Sequence, residues 1–159
     1  LFDQRKDLSY HSNRGTSGID GSTSTAVGAA VASGKPTTLV CGDLSFFYDI
    51  NGLWNRYLPS NFRIIIINNS GGGIFRIIPG PSTSDELDEF FEVTQQRTAQ
   101  PIAKMYNLDY QKADSVESLE KVLPKFYRKG KKAKILEVFT PRTSKDTILK
   151  SYLEFMKRR

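Results

Sequence analysis

The segment Phe62-Arg63-Ile64-Ile65-Ile66-Ile67 limits the possible folds of this chain more than any other. Its consecutive isoleucines favour extended backbone and present no polar face, so it reads as a central strand covered on both sides. A second apolar run, Thr38-Leu39-Val40-Cys41, has the same character. Around these runs, helical spacing alternates with Gly and Pro punctuation. That rhythm predicts an α/β fold: a doubly wound, mainly parallel sheet flanked by helices. Ser9 to Ser12 reads as a short first strand, and Ser22 as the N-cap of a small-residue helix from Thr25 to Ser33. Phe46 to Tyr57 follows as a helix stopped by Pro59, and Glu86 to Phe91 as a short acidic helix. Pro101 opens a helix reaching Tyr106. Tyr110 to Ala113 and Ile135 to Phe139 are strands. Val116 to Arg128 is a helix that Pro124 must kink or break, and Thr147 to Met156 is the last helix.

Both apolar runs end in polar groups. Gly42-Asp43-Leu44-Ser45 follows the shorter one and Asn68-Asn69-Ser70-Gly71-Gly72-Gly73 the longer. If the strands are parallel neighbours, Asp43 and Asn69 share one edge, and that edge is where open α/β sheets bind ligands. A carboxylate, a carboxamide oxygen and the carbonyls of a glycine loop are hard oxygen donors. Mg²⁺ prefers such a set when substrate phosphates complete its shell. Taken singly, Asp43 or Asn69 could be only a helix cap or a turn residue. Taken with the glycines they predict a metal-diphosphate site, since the backbone can then approach a ligand without a Cβ in the way. Gly34-Lys35-Pro36 lacks the Ser or Thr of a P-loop, and Gly15, Gly18 and Gly21 do not have dinucleotide-binding spacing.

The combined blocks Arg14-Gly15-Thr16-Ser17-Gly18-Ile19-Asp20-Gly21, Gly42-Asp43-Leu44-Ser45 with Tyr48-Asp49, and Asn68-Asn69 with Gly71-Gly72-Gly73-Ile74-Phe75 resemble the thiamin diphosphate-dependent enzymes. Within them the wording is similar to the 2-succinyl-5-enolpyruvyl-6-hydroxy-3-cyclohexene-1-carboxylate synthase family of menaquinone biosynthesis. The match is dense from Arg14 to Pro79 and thin beyond, and Leu44 stands where many members carry Gly. The resemblance implies thiamin diphosphate and Mg²⁺, or Mn²⁺ in its place. It assigns the metal to the Asp43 carboxylate, the Asn69 amide oxygen and the Gly71 carbonyl, with Asn68 holding the turn. Leu44 and Ser45 would meet the diphosphate at a helix start. Gly18, Ile19, Gly42, Gly72, Gly73 and Ile74 complete the implied cofactor contacts, Ile19 as the apolar wedge beneath the bent cofactor; a plain core isoleucine is the competing reading. Arg14 would bind substrate carboxylates, which a planar fork donor suits. Ile74 and Phe75 would line the apolar side of the substrate pocket. His11 is expected to be structural or at the surface, and no catalytic residue is assigned.

The implied reaction, a transferase or carboligase step, decarboxylates 2-oxoglutarate and adds the succinyl carbanion equivalent to isochorismate. In this family the activating glutamate comes from an N-terminal pyrimidine-binding domain of the partner subunit, and in this chain no Glu precedes Glu86. The expectation is therefore a single C-terminal diphosphate-binding domain over residues 1–159, inactive alone, within a larger homo-oligomer. A length of 159 residues with 38% hydrophobic content suits one core. No apolar stretch is long enough for a membrane span, no signal core opens the chain, and the single Cys41 excludes an internal disulfide, so a cytoplasmic protein is expected. The net charge of +6 is carried largely by Lys125, Arg128, Lys129, Lys131, Lys132, Lys134 and the final Lys157-Arg158-Arg159, read as solvated surface. Small-molecule substrates are expected as partners, without nucleic acid or membrane. Two alternatives stay open: another thiamin diphosphate decarboxylase or acetolactate-type synthase, and a noncatalytic polyanion-binding domain.

Overall fold

The computed structural model describes residues 5–13, 15, 18–143 and 145–157. Its elements are α1 (Ser22–Ser33), β1 (Thr37–Gly42), α2 (Asp43–Tyr48), β2 (Phe62–Asn68), α3 (Gln100–Met105), β3 (Asp109–Ala113), α4 (Val116–Tyr127), β4 (Lys134–Phe139) and α5 (Lys145–Lys157). The strands form one sheet in the order β1-β2-β4-β3, and every pairing is parallel. The α/β class read from the sequence is the class observed.

β2 lies inside the sheet, as its apolar run requires. Ile64 and Ile66 join one core with Val27, Ala30, Phe46 and Ile135. Ile65 turns to the opposite face, against Leu136, Phe126 and their neighbours. This is the two-residue alternation of a strand buried on both sides. Each fully buried Ile or Phe contributes about 1.5–3 kcal/mol. Arg63 is the exception in this strand, only 5% exposed. Its guanidinium donates to the carbonyls of Ser60, Phe62, Phe126 and Arg128 at 2.8–3.2 Å. Beside it in the sheet register, Lys134 donates to the carbonyls of Lys125 and Arg128. The two cations thus serve the carbonyl end of α4, where the helix leaves acceptors unpaired. Lys134 is buried and so departs from the solvated surface expected of it. Burial pushes both cations below their usual pKa range.

Several elements differ from expectation for identifiable reasons. Ser9 to Ser12 makes no strand pairing and is exposed throughout, because its polar sequence offers no face to bury. Ser22 is the first helical residue of α1, not its cap; Gly21 takes the cap position at φ 75°. The capping carboxylate comes from far along the chain, as Asp49 accepts the Ser24 N–H and Oγ–H, each at 2.6 Å. That contact also ends α2 early. The segment continues as a tight turn over Ile50–Leu53, in which Gly52 lies so close to Ser24 that a Cβ would meet its backbone nitrogen at 2.7 Å. Trp54 and Tyr57 consequently point outward, at 82% and 67% exposed. The acidic segment forms a π-turn at Leu87–Phe91. α4 runs through Pro124 without ending.

Candidate cofactor and metal site

The last pair in the β1–β2 register is Gly42 with Ile67, so Asp43 and Asn69 emerge from adjacent strands at the same C-terminal edge. Asp43 is 1% exposed. Its Oδ2 accepts a hydrogen bond from Gln95 Nε2 at 2.5 Å, and among the described residues Oδ1 accepts none. Gln95 also donates its backbone N–H to the Ser70 carbonyl at 3.1 Å. One residue therefore touches both the carboxylate and the turn that follows β2.

That turn is tightly constructed. Ser70 has φ 65° and Gly71 φ 151°, both conformations that L side chains rarely adopt. A Cβ on Gly71 would meet the Glu92 carbonyl oxygen at 2.7 Å, and a Cβ on Gly73 would meet Asn69 Nδ2 at 2.8 Å. Asn68 holds the turn from behind: its Oδ1 accepts the Ser70 N–H at 3.0 Å, and its Nδ2 donates to Glu137 Oε1 at 2.7 Å and to the Arg97 carbonyl at 3.0 Å. Asn69, by contrast, is half-buried beside Gly73.

Glu137 is fully buried on β4. Besides Asn68 it accepts the Ala99 N–H and the Tyr110 hydroxyl, the latter at 2.6 Å. Burial first, then the bond to Glu137 and its charge, push the Tyr110 phenol well above its usual range. A second buried carboxylate, Glu92, accepts from Arg76 and Arg142, which also pair with the exposed Asp88. The sequence reading missed Gln95, Glu92 and Glu137. The only signal available was polarity within apolar surroundings, present for Glu137 and for Glu92 between Phe91 and Val93, and absent for Gln95 among polar neighbours.

The remaining expected residues fall as follows. Ser45, on α2, donates its hydroxyl to the Ile19 carbonyl at 2.6 Å and contacts Ser22 Oγ at 3.2 Å, which brings the Gly18–Ile19 segment to the start of α2. Ile19 is 43% exposed and Ile74 56%. Leu44 is half-buried and Gly42 exposed. Phe75 packs against Phe91, ring centroids 5.8 Å apart. Arg14 lies outside the described residues. Cys41 precedes the site in β1, and burial, with the Asp43 charge adding, pushes its thiol up to about 12, so it is protonated at neutral pH.

The donor set fits a hard divalent ion with a diphosphate. It offers one buried carboxylate with an oxygen that accepts no donor among the described residues, an amide at the end of the adjacent strand and a turn of glycines that carry no side chains of their own, although the Gly71 carbonyl already accepts the Gly73 N–H at 3.1 Å. Among the described residues no three His, Cys, Asp or Glu side chains cluster as metal ligands, so Asp43 would be the charged protein ligand and phosphate would supply the balance. A depression of about 600 Å³ is lined by Lys104, Asn107, Tyr110 and Lys132 beside α3 and β3. It does not include Asp43 or Asn69.

The chain is 57% identical over 157 residues to 2-succinyl-5-enolpyruvyl-6-hydroxy-3-cyclohexene-1-carboxylate synthase of Christiangramia forsetii, covering 99% of this chain and 27% of that protein. It is 56% identical over 142 residues to the synthase of the same name from Flavobacterium johnsoniae, covering 89% and 26%. With that of Porphyromonas gingivalis it shares 47% over 145 residues, covering 91% and 25%. The chain thus spans about a quarter of the length of these relatives. Residues 1–138 match the family described as thiamine pyrophosphate enzyme, C-terminal TPP binding domain. With its parallel α/β sheet, the chain belongs to that family of thiamine pyrophosphate-binding domains.

Proposed function

We propose that this chain is the diphosphate- and Mg²⁺-binding domain of a carboligase that joins the decarboxylated remainder of 2-oxoglutarate to isochorismate. The observation that carries the reading is the buried Asp43 carboxylate held beside the Ser70–Gly73 turn, bridged by Gln95. Asp43, Asn69 and the Gly71 carbonyl would hold the ion, with Mn²⁺ able to replace Mg²⁺. Gly42, Leu44, Ser45, Gly72 and Gly73 would border the diphosphate, and Gly18, Ile19 and Ile74 the rest of the cofactor. Thiamin diphosphate, when bound, supplies the carbanion chemistry of the reaction. The chain's own residues bind, orient and exclude water. Arg14 is assigned to a substrate carboxylate, and Ile74 with Phe75 to the apolar wall.

The relatives' name, a synthase of a 2-succinyl cyclohexene carboxylate, supports a reaction that forms such a product, and the quarter-length coverage supports a division of labour. A pyrimidine-binding domain, carrying the activating glutamate, would complete the active site from a partner subunit in a homo-oligomer. The free thiol of Cys41 suits a reducing, cytoplasmic location. No helix among the described residues is long and apolar enough to cross a membrane.

Calorimetric titration of the chain with thiamin diphosphate tests the reading. Binding is expected with Mg²⁺ and not without it, and Asp43→Ala is expected to weaken it at least about 100-fold, since the charged ligand is lost. Binding that ignores both Mg²⁺ and Asp43 but weakens steeply with salt would instead assign the chain to polyanion binding. With both substrates added, the chain alone is expected to form no product.

A further inference from the structure

The segment from Glu92 to Ala99 crosses the C-terminal edge of the sheet and contacts each part of the site in turn. The Glu92 carbonyl accepts the Gly72 N–H at 2.7 Å. Gln95 takes the Ser70 carbonyl through its backbone and the Asp43 carboxylate through its side chain. The Arg97 carbonyl accepts the Asn68 amide, and the Ala99 N–H ends on Glu137. Two polar side chains of this strap are buried, Glu92 at 0% and Gln95 at 6% exposed, while Val93 between them is 43% exposed at φ 49°. A β-branched residue in the left-handed region is strained, and such strain persists only where the surroundings enforce it. Here the enforcing contacts lie on either side: Glu92 is clamped by Arg76 and Arg142, and Gln95 is anchored on Asp43. The Gln95 amide is oriented in its turn, because its Oε1 accepts the Arg97 N–H.

We infer that Gln95 is a positioning residue, through which the Glu92–Ala99 strap presets the Asp43 carboxylate and the Ser70–Gly73 turn before any ligand arrives. By bonding Oδ2, the Gln95 amide leaves Oδ1 as the oxygen available to an ion. A neutral donor is well suited to this role, because it fixes the carboxylate without competing for the metal as a second carboxylate would, or repelling it as a cation would. The benefit to metal binding rests on the cofactor reading proposed above. The presetting itself does not.

The test uses the unsubstituted chain, Gln95→Met and Gln95→His. Met keeps the length and removes the donor, whereas the imidazole Nε2–H restores one at similar reach. In the ligand-free chain, Gln95→Met is expected to speed amide exchange at Gly72, and Gln95→His to restore protection. The apparent Mg²⁺ affinity at fixed thiamin diphosphate is expected to fall about tenfold in Gln95→Met and to recover in Gln95→His, the usual scale for partners that orient a metal ligand. A merely structural role would not return with the donor. Exchange at Gly72 and Mg²⁺ affinity both unchanged in Gln95→Met would overturn the inference. If the unsubstituted chain shows no Mg²⁺-dependent binding, the cofactor reading fails; the presetting is then decided by Gly72 exchange alone, accelerated in Gln95→Met if the inference holds and unchanged if it does not.

Discussion

At the N-terminal edge of the sheet, Arg63 and Lys134 bury two cations. At the C-terminal edge, Asp43, Glu92 and Glu137 bury carboxylates. Polarity alone would flag both ends as functional. The difference lies in what each charge has left to offer. The guanidinium of Arg63 bonds four carbonyls, and the Lys134 ammonium shares the Arg128 carbonyl with it and adds that of Lys125, so both are engaged at the end of α4. Glu137 and Glu92 are likewise saturated by donors. Asp43 alone of these five retains an oxygen without a partner among the described residues, and it lies next to a glycine turn. Incomplete bonding, and not burial, is what separates Asp43 from the other four charges.

The strongest way to break this contrast is to remove a saturated carboxylate. Glu137→Leu would leave the Asn68 amide, the Ala99 N–H and the Tyr110 hydroxyl without their acceptor. We expect a loss of about 3–5 kcal/mol in urea unfolding, because buried donors are then stranded. If Glu137→Leu were neutral, the network would not be holding the site. Arg63→Met sharpens the comparison from the other end. It should cost about 1–3 kcal/mol through the carbonyls it leaves at α4, yet leave Mg²⁺-dependent cofactor binding within about twofold. Strongly weakened binding in a well-folded Arg63→Met chain would mean that the two edges are not independent.

A smaller effect concerns pH. The folded chain holds the Tyr110 phenol protonated above its usual 10.0, whereas the unfolded chain ionises it there. The unfolded state then binds fewer protons, so stability is fully present below about pH 10 and declines as pH rises beyond it. Tyr110→Phe should flatten that decline, measured as the melting temperature between about pH 9 and pH 11.5. An unchanged slope would remove Tyr110 from the Glu137 network.

The parts that were legible in the sequence are those where one property dominates locally. Phe62 to Ile67 could hardly be anything but an interior strand, and the Asp43 and Asn69 edge followed from the strands that carry them. What escaped were contacts across long sequence separations. Asp49 is drawn 25 residues back to cap α1 and so shortens the helix that apolar spacing had extended to Tyr57. Gln95 lies 52 residues from Asp43, in a stretch with neither apolar period nor motif. Arg63 draws no separate reading inside its apolar run, and Lys134 reads as surface, because the α4 carbonyls that accept from them belong to another element.

The position of β4 bears on how the protein matures during synthesis. β2, which carries the Asn68 turn, pairs with β4 some seventy residues later, and Asn68 is locked only when Glu137 arrives with that strand. A ribosome that has produced everything up to α4 has therefore made an apolar ribbon with one flank bare and an Asn68 turn that is not yet held. Pairings of such long range form slowly, and a nascent chain is exposed to aggregation until they do. Chaperone dependence should be greatest in the interval between translation of β2 and emergence of β4.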